Sequence, residues 1–431
     1  MVPQNPFKNV QAMAMGKAEL KSPSIPFFQR GKFRSRTVTP PFDELRAGFW
    51  KRGEGEIFGR SEGHIDRELL DQDSSMRVIF AGGGTGGHLF PGLAVAREFQ
   101  RRDRLTEILF VGTEQGIEFR VLPKAGFRLE TLTVKGLKGR GIRGFLDAAY
   151  GVPASVARSL AIIKKFRPDC VIGLGGYASG PVLLAARMAG IRCAIMEQNL
   201  RPGFTNKILA RLVERVFTSY GQSAEYFPRA RVIETGNPVR WQNLPKMQKR
   251  DKFSLLIFGG SAGARRINFA VVDALKQLTD LQSKLFVVHQ TGELDYAAIK
   301  EAYATLPFSA EVTPFIDKMD EAYAQADLVL CRAGATTVAE LTAFGKAAIV
   351  VPYPYAIYDH QRGNAQALQE QGAAEMILDQ ELNGQILSER IRNYVSNPSR
   401  IERMASAARA MGRPQAAARI VEECYALVAQ N

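Results

Sequence analysis

Residues 78–92 read VIFAGGGTGGHLFPG. Four apolar residues, Val78, Ile79, Phe80 and Ala81, run straight into Gly82, Gly83, Gly84, Thr85, Gly86 and Gly87, and His88 follows at once. An apolar strand that breaks into glycines before a helix presents backbone N–H groups to an anion, because the first amides of a helix have no intrahelical acceptor. Gly82, Gly84 and Gly87 also match the G-x-G-x-x-G spacing of a dinucleotide-binding turn. That reading needs an acidic residue at the end of the second strand to hold the ribose. The second apolar run, ILFVG at 108–112, is followed by Thr113, and Glu114 is the nearest carboxylate. NAD or FAD is therefore disfavoured. A loop for a phosphate or diphosphate fits better, and a plain tight turn is the bland alternative.

The theme returns at 253–268, FSLLIFGGSAGARRIN, where an apolar strand again enters glycines ahead of a helix. After the first loop come a helix over Leu93–Arg101 and the strands EILFVG (107–112), DCVIGLGG (169–176), CAIMEQN (193–199), RVFTS (215–219) and RVIETGNPV (231–239). The second loop is followed by LFVVHQTG (285–292), EVTPF (311–315), LVLCRAG (328–334) and AAIVVPYP (347–354). Strands alternating with helices at this spacing form right-handed βαβ units and a parallel sheet. The expected fold class is α/β, with two Rossmann-like parallel-sheet domains facing across a cleft. Ligands of such sheets sit outside the C-terminal strand ends. The polar, Pro-interrupted stretch 239–250 reads as a linker, giving domains at 76–238 and 251–411 with a helix over 412–431.

Residues 1–75 differ. Prolines at 3, 6, 23, 26, 40 and 41 punctuate a polar segment without a period of 2 or 3.6, which reads as a disordered extension. Met76 opens directly onto the first strand and could serve as the start. Of the net charge of +14, the extension, with 12 basic and 10 acidic residues, carries only +2, so the body holds the basic balance. An anionic partner is expected. Nucleic acid is disfavoured because the body has no interleaved aromatic and basic platform and its cations are dispersed. Cys170, Cys193, Cys331 and Cys424 lie far apart with no C-x-x-C pair, and read as buried reduced thiols. No apolar run reaches the roughly 18 residues of a membrane span, and the N-terminus has no secretory h-region.

Several residues carry candidate chemistry. His88 stands at the lip of the first loop, where a neutral imidazole can act as a general base or simply hydrogen-bond the loop. Ser261 follows two glycines at a helix N-terminus, so its hydroxyl and the neighbouring amides can hold a second phosphate. In CRAGATTVAELTAFG (331–345), Ala335 to Glu340 start a helix that Gly345 ends, so the amides from Ala335 onward face an anion. Glu340, a turn further on, can accept both hydroxyls of a ribose, or it is a solvated or capping side chain. In PYPYAIYDHQRGNA (352–365), Asp359, His360, Gln361 and Asn364 suit sugar hydroxyls, with Asp359 as a plain N-cap in the alternative.

Nine motifs stand in order between Met76 and about Val428: GGGTGGHLFPGLAVA, GGYASGP, EQN, TNKILA, GNPVR, GGSAGARRIN, FIDKM, RAGATTVAEL and DHQRGNA. Together they resemble the MurG family of N-acetylglucosaminyltransferases, which complete the lipid-linked disaccharide of peptidoglycan. The resemblance implies a glycosyltransferase B-type fold and UDP-N-acetylglucosamine as donor. The implied acceptor is undecaprenyl-diphospho-N-acetylmuramoyl-pentapeptide. It sets Thr85, Gly86 and Gly87 against the donor sugar and the acceptor diphosphate. It assigns donor contacts to Asn199, Arg240, Ser261, Ile316, Gln361 and the run Ala335, Thr336, Thr337, Val338, Ala339 and Glu340. Arg240 and Ser261 suit a diphosphate, Ile316 can hold uracil by its backbone, and Asn199 and Gln361 suit sugar hydroxyls. His360 is a near neighbour that competes for the last role. Neither cofactor nor metal is implied, since no Asp-x-Asp pair stands at a strand end. Another B-type glycosyltransferase with a different lipid acceptor is the alternative reading.

A lipid acceptor also implies a membrane. In VKGLKGRGIRGFLDAAYG (134–151), Lys135, Lys138, Arg140 and Arg143 interleave with Leu137, Ile142, Phe145 and Leu146. Mixed basic and apolar residues suit an anionic leaflet, each charge contributing on the order of 1 kcal/mol. An ordinary solvated loop is the alternative. The expected location is the cytoplasmic face of the bacterial inner membrane, with peripheral attachment.

Overall fold

The structure is a computed structural model that describes residues 75–133, 141–227, 232–241, 245, 250–356 and 359–430, the stretch 141–150 by its backbone alone. Nearly all of the 1–75 extension, most of the 239–250 linker and the side chains of the 135–146 basic stretch lie outside the described residues.

Among the described residues, thirteen strands form two sheets. The first contains β1 (Arg77–Gly82), β2 (Glu107–Gly112), β3 (Arg128–Thr131), β4 (Cys170–Gly175), β5 (Arg192–Glu197), β6 (Arg215–Thr218) and β7 (Val232–Glu234) in the order β3-β2-β1-β4-β5-β6-β7. The second contains β8 (Phe253–Phe258), β9 (Leu285–Gln290), β10 (Ser309–Thr313), β11 (Leu328–Cys331), β12 (Ala347–Val350) and β13 (Ala374–Met376) in the order β10-β9-β8-β11-β12-β13. Every pairing is parallel. In each sheet the opening strand lies centrally and the order reverses beside it, between β1 and β4 and between β8 and β11. That reversal leaves a crevice above the strand ends.

The continuous apolar runs follow from burial on both faces. Val78 and Phe80 point into one core, with Phe99 and Phe110, while Ile79 and Ala81 point into the other, with Ile163 and Leu183. In β8, Leu255 and Ile257 face one core and Leu256 and Phe258 the opposite one. A period of two thus serves both layers at once. Phe80 stacks on Phe110 with ring centroids 5.0 Å apart. All four cysteines are buried and free.

Two departures from the sequence reading concern helices. The helix expected over Leu93–Arg101 runs Gly86–Arg102, so it begins inside the glycine run and carries His88 in its first turn. The C-terminal helix, Ala416–Val428, returns to the first half: Ile420, Val421, Cys424 and Leu427 complete the core beneath β1 and β4. The chain therefore crosses between the halves twice, once before β8 and once after the helix Pro398–Met411.

Candidate functional site

The first glycine loop is built by close backbone approach. Gly82 and Gly83 have φ of +119° and +133°, a region that favours glycine. A Cβ on Gly82 would collide with Gly175 O and Ser179 Oγ. Gly83 N donates to Gly175 O at 3.1 Å. Ser179 Oγ donates to Ala81 O at 2.7 Å and accepts from Gly175 N at 3.0 Å. The motif GGYASGP thus ties the end of β4 to the end of β1.

Two further groups shape this loop. Glu118 Oε2 accepts from Gly84 N at 2.8 Å, and its Oε1 accepts from Thr113 N at 2.9 Å and Thr113 Oγ1 at 3.0 Å. His88 is half-buried, with Nδ1 3.3 Å from Thr85 Oγ1. Burial lowers its pKa, the Gly83 backbone opposes that, His360 across the cleft lowers it further and Glu118 raises it. The imidazole is therefore neutral at physiological pH and able to accept a proton. Thr85, the N-cap of the helix Gly86–Arg102, makes no side-chain cap, so the amides of the first turn face outward.

At the end of β5, buried Glu197 organises EQN. It accepts from Asn199 N at 2.9 Å, Gly203 N at 3.1 Å and Asn206 Nδ2 at 2.9 Å. Asn199 then reaches the second half. Asn364 Nδ2 donates to Asn199 Oδ1 at 3.3 Å and to Ala333 O at 3.2 Å, while Asn364 Oδ1 accepts from Leu200 N at 3.3 Å.

In the second half, Ser261 is exposed in a turn and the helix behind it begins only at Arg265. The expectation that Ser261 stands at the helix N-terminus is corrected by four residues, because Gly263 (φ +77°) turns the chain first. Gln290 at the end of β9 joins this turn to Ile316: its Nε2 donates to Gly260 O at 2.9 Å, and its Oε1 accepts from Ile316 N at 2.9 Å. The Ile316 amide is thus already engaged. The helix Ala335–Phe344 has Gly334 as N-cap with no capping side chain, and Gly345 (φ +59°) ends it. Among the described residues, the buried Thr336 Oγ1 has no hydrogen-bond partner. An open, uncapped helix end beside an unpaired hydroxyl suits a phosphate.

Glu340 is buried rather than solvated. Arg240 Nη2 and Nε donate to its Oε1 at 3.0 and 3.2 Å, and Tyr323 OH donates to Oε2 at 3.1 Å. Burial raises the Glu340 pKa, and Arg240 and Tyr323 pull it back. The Arg240 guanidinium also stacks over Phe90, 5.1 Å from the ring centroid, so it touches both halves at once. Gln361 Oε1 accepts from Tyr353 N at 3.0 Å, which fixes the loop after β12. Arg332 braces the same loop through Val351 O at 3.2 Å and Asp379 at 2.6 Å.

Every candidate residue lies at or beyond a C-terminal strand end, on one of the two sheets or on the segment between them. Glu118 and Gln290, which the sequence reading left unassigned, organise them; Asn364, read as a sugar-hydroxyl contact, is instead fully buried and joins the halves through Asn199, Leu200 and Ala333. Gln290 and Asn364 fall inside quoted motifs or strands, but their partners are distant in sequence. His289, the penultimate residue of β9, is fully buried. Its ring nitrogens lie 3.0 Å from Tyr303 OH and 3.2 Å from Asn268 Oδ1.

This geometry of two facing sheets with glycine turns agrees with known families. The glycosyltransferase family 28 N-terminal domain matches residues 78–218, and the family 28 C-terminal domain matches residues 254–420. Over 358 residues the chain is 51% identical to the UDP-N-acetylglucosamine–N-acetylmuramyl-(pentapeptide) pyrophosphoryl-undecaprenol N-acetylglucosamine transferase of Syntrophus aciditrophicus (strain SB), covering 82% of this chain and 99% of that one. The chain belongs to this transferase family. Among solved structures it is similar to MurG of Acinetobacter baumannii, at 32% identity and a TM-score of 0.68 over 81% of this chain and 99% of that one. A UDP-GlcNAc 2-epimerase from Neisseria meningitidis, at 15% identity and a TM-score of 0.59 over 83% of this chain and 100% of that one, shares the fold. As a member of the MurG family, the chain is an N-acetylglucosaminyltransferase with a glycosyltransferase B-type fold.

Proposed function

We propose that the chain transfers N-acetylglucosamine from UDP-N-acetylglucosamine to the C4 hydroxyl of undecaprenyl-diphospho-N-acetylmuramoyl-pentapeptide, inverting α to β. The observation that carries the site assignment is one juxtaposition. The open end of the helix Ala335–Phe344 and the Arg240–Glu340 pair stand in the donor half and the segment beside it, while the glycine loop and His88 stand in the other half. In this reading residues 76–238 receive the acceptor and residues 251–411 hold the donor.

The chemistry follows from these groups. The acceptor oxygen attacks the anomeric carbon while His88 takes its proton. The bond from the anomeric carbon to the UDP oxygen breaks, and UDP leaves with the electron pair. UDP departs without an acid, so its growing charge needs donors already in place. The amides of Ala335, Thr336 and Thr337, the Ser261 turn and Arg240 supply them. Val338 and Ala339 continue the helix, Glu340 takes the ribose hydroxyls, Ile316 borders uracil, and Asn199 and Gln361 meet the sugar. Thr85, Gly86 and Gly87 border the transferred sugar and the acceptor diphosphate.

The reading includes peripheral attachment to the cytoplasmic face of the inner membrane. No helix among the described residues is long and apolar enough to cross a membrane. Helices 141–166, 179–188 and 204–209 pack side by side and expose Val152, Leu184, Met188, Phe204 and Ile208. Together with the basic stretch 135–146, that apolar face suits an anionic leaflet.

The test is transfer of labelled N-acetylglucosamine from its UDP conjugate to the lipid-diphosphate muramoyl acceptor in detergent. A labelled lipid disaccharide with one UDP released per transfer supports the reading. Donor consumption without a lipid product, or transfer only to another lipid, overturns it.

A further inference from the structure

We propose that the cavity between the halves, beside the segment after β7, is a subsite for the peptide of the acceptor, with Asn237 and Gln198 as its hydrogen-bonding groups. The proposal rests on the muramoyl-pentapeptide reading of the acceptor. The cavity holds about 360 Å³, which falls within the ~300–1,000 Å³ of small-molecule sites. Gln198 and Tyr220 line it from beyond the ends of β5 and β6, and Asn237 from the segment after β7. From the second half come Ala339 and Thr342 of the helix Ala335–Phe344 and Met411 of the helix Pro398–Met411.

Two buried side chains in this cavity are left open. Asn237, the asparagine of GNPVR, is 7% exposed, and neither its Oδ1 nor its Nδ2 has a hydrogen-bond partner among the described residues. Gln198 is 2% exposed; its Nε2 donates to Leu174 O at 3.2 Å, while its Oε1 has no partner among the described residues. Buried polar side chains are nearly always hydrogen-bonded, so two open amides in one cavity mark the place of a polar occupant. An amide side chain presents a donor and an acceptor side by side. One residue of an extended peptide does the same, because its N–H and C=O point to one side and exchange two bonds with a matched partner. Asn237 fits that pair, and Gln198 Oε1 accepts one further N–H. At the rim, Arg413 Nη2 stands 3.9 Å from Glu234 Oε1 with half of its side chain exposed, a cation suited to a peptide carboxylate.

The cavity also lies where the peptide must leave the sugar. Muramic acid carries its peptide through a lactyl ether on C3, next to the C4 hydroxyl that attacks. Gln198 directly precedes Asn199, which meets the transferred sugar in the proposed mechanism. Ala335, Val338, Ala339 and Thr342, spaced three and four apart, turn one face of their helix to the cavity. Glu340, on another face of the same helix, turns to Arg240. The donor and the peptide thus lie along different sides of one helix.

The test uses the full-length enzyme with two acceptors: the lipid-diphosphate muramoyl-pentapeptide, and the same lipid-linked muramoyl sugar without its peptide. Asn237→Ala removes both hydrogen-bonding atoms. Ala367→Leu fills the cavity from the helix His360–Glu370 and touches no polar group of the subsite. In each variant the KM for the pentapeptide acceptor should rise about five- to twentyfold. The KM for the peptide-free acceptor and the donor KM should stay within about twofold of the parent. Because the two acceptors are compared in one preparation, a loss of folded enzyme lowers the rate with both and leaves the ratio of their KM values unmoved. Variants that change both acceptor KM values alike, or neither, overturn the proposal. So does a parent enzyme that uses both acceptors with the same KM, while the transferase reading stands. A parent that transfers to neither acceptor overturns the reading of the acceptor itself.

Discussion

Arg240 donates twice to one carboxylate oxygen of Glu340, at 3.0 and 3.2 Å, across one hundred residues of sequence. Glu340 is 4% exposed, so its charge depends on that guanidinium and on Tyr323. In the proposed mechanism both partners have donor work: Arg240 at the diphosphate and Glu340 at the ribose. Donor entry therefore exchanges one set of charged hydrogen bonds for another. Glu340→Ala should weaken donor binding, since a hydrogen bond to a charged group contributes about 1.5–3 kcal/mol. Release of Arg240 from the pair offsets part of that loss. The expected result in calorimetry is a Kd raised about ten- to a hundredfold, and an unchanged Kd would return Glu340 to a structural role.

Ser179 makes the joint between β1 and β4. Its hydroxyl serves Ala81 O, Gly175 N and Gly175 O at 2.7, 3.0 and 2.9 Å, with no exposure to solvent. Ser179→Ala leaves buried backbone groups unpaired, which costs about 1–3 kcal/mol. Urea denaturation should show that loss, and the acceptor KM should rise because Gly83 is held by the same joint. A variant within about 0.5 kcal/mol of the parent would contradict this account.

His289 predicts a pH dependence of stability. Burial lowers its pKa from 6.5 to about 3 in the folded chain. The fold thus favours the neutral ring. Stability from this group is complete above pH 6.5 and is lost as the pH falls from 6.5 toward about 3, as the unfolded chain gains a proton that the folded one refuses. The size is on the order of a few kcal/mol. His289→Gln should be less stable at pH 7, because Tyr303 and Asn268 lose a fitted partner, yet its stability should fall less between pH 7 and pH 4. Parallel pH curves for parent and variant would show that His289 does not titrate with unfolding.

The two halves, their glycine turns and the helix that Gly345 ends were legible in the sequence because each rests on local pattern. Continuous apolar runs mark strands buried on both faces, and glycine marks the turn that follows. β3 (RLET) and β13 (AEM) were not legible, for they are sheet edges with one neighbour each and no apolar run. The return of the C-terminal helix to the first core was equally hidden, since its apolar face shows only that it packs somewhere. Within the site, Glu340 was recognisable by its place on the helix. Its partner Arg240 was also singled out, but their meeting depends on how the segment after β7 runs back to the second sheet. Glu118 has no motif of its own. Its role comes from Gly84 and Thr113, brought to it by β1 and β2.

The central claim is that this cleft transfers a sugar with His88 as the base and backbone amides and Arg240 as the charge acceptors. Steady-state kinetics of His88→Asn over a pH series tests it most directly, because asparagine keeps a hydrogen-bond donor and removes the proton acceptor. The account predicts kcat lowered by a factor on the order of 10² to 10⁴, a donor KM little changed, and loss of the acid limb seen in the parent. Near-normal turnover with the acid limb intact would contradict it.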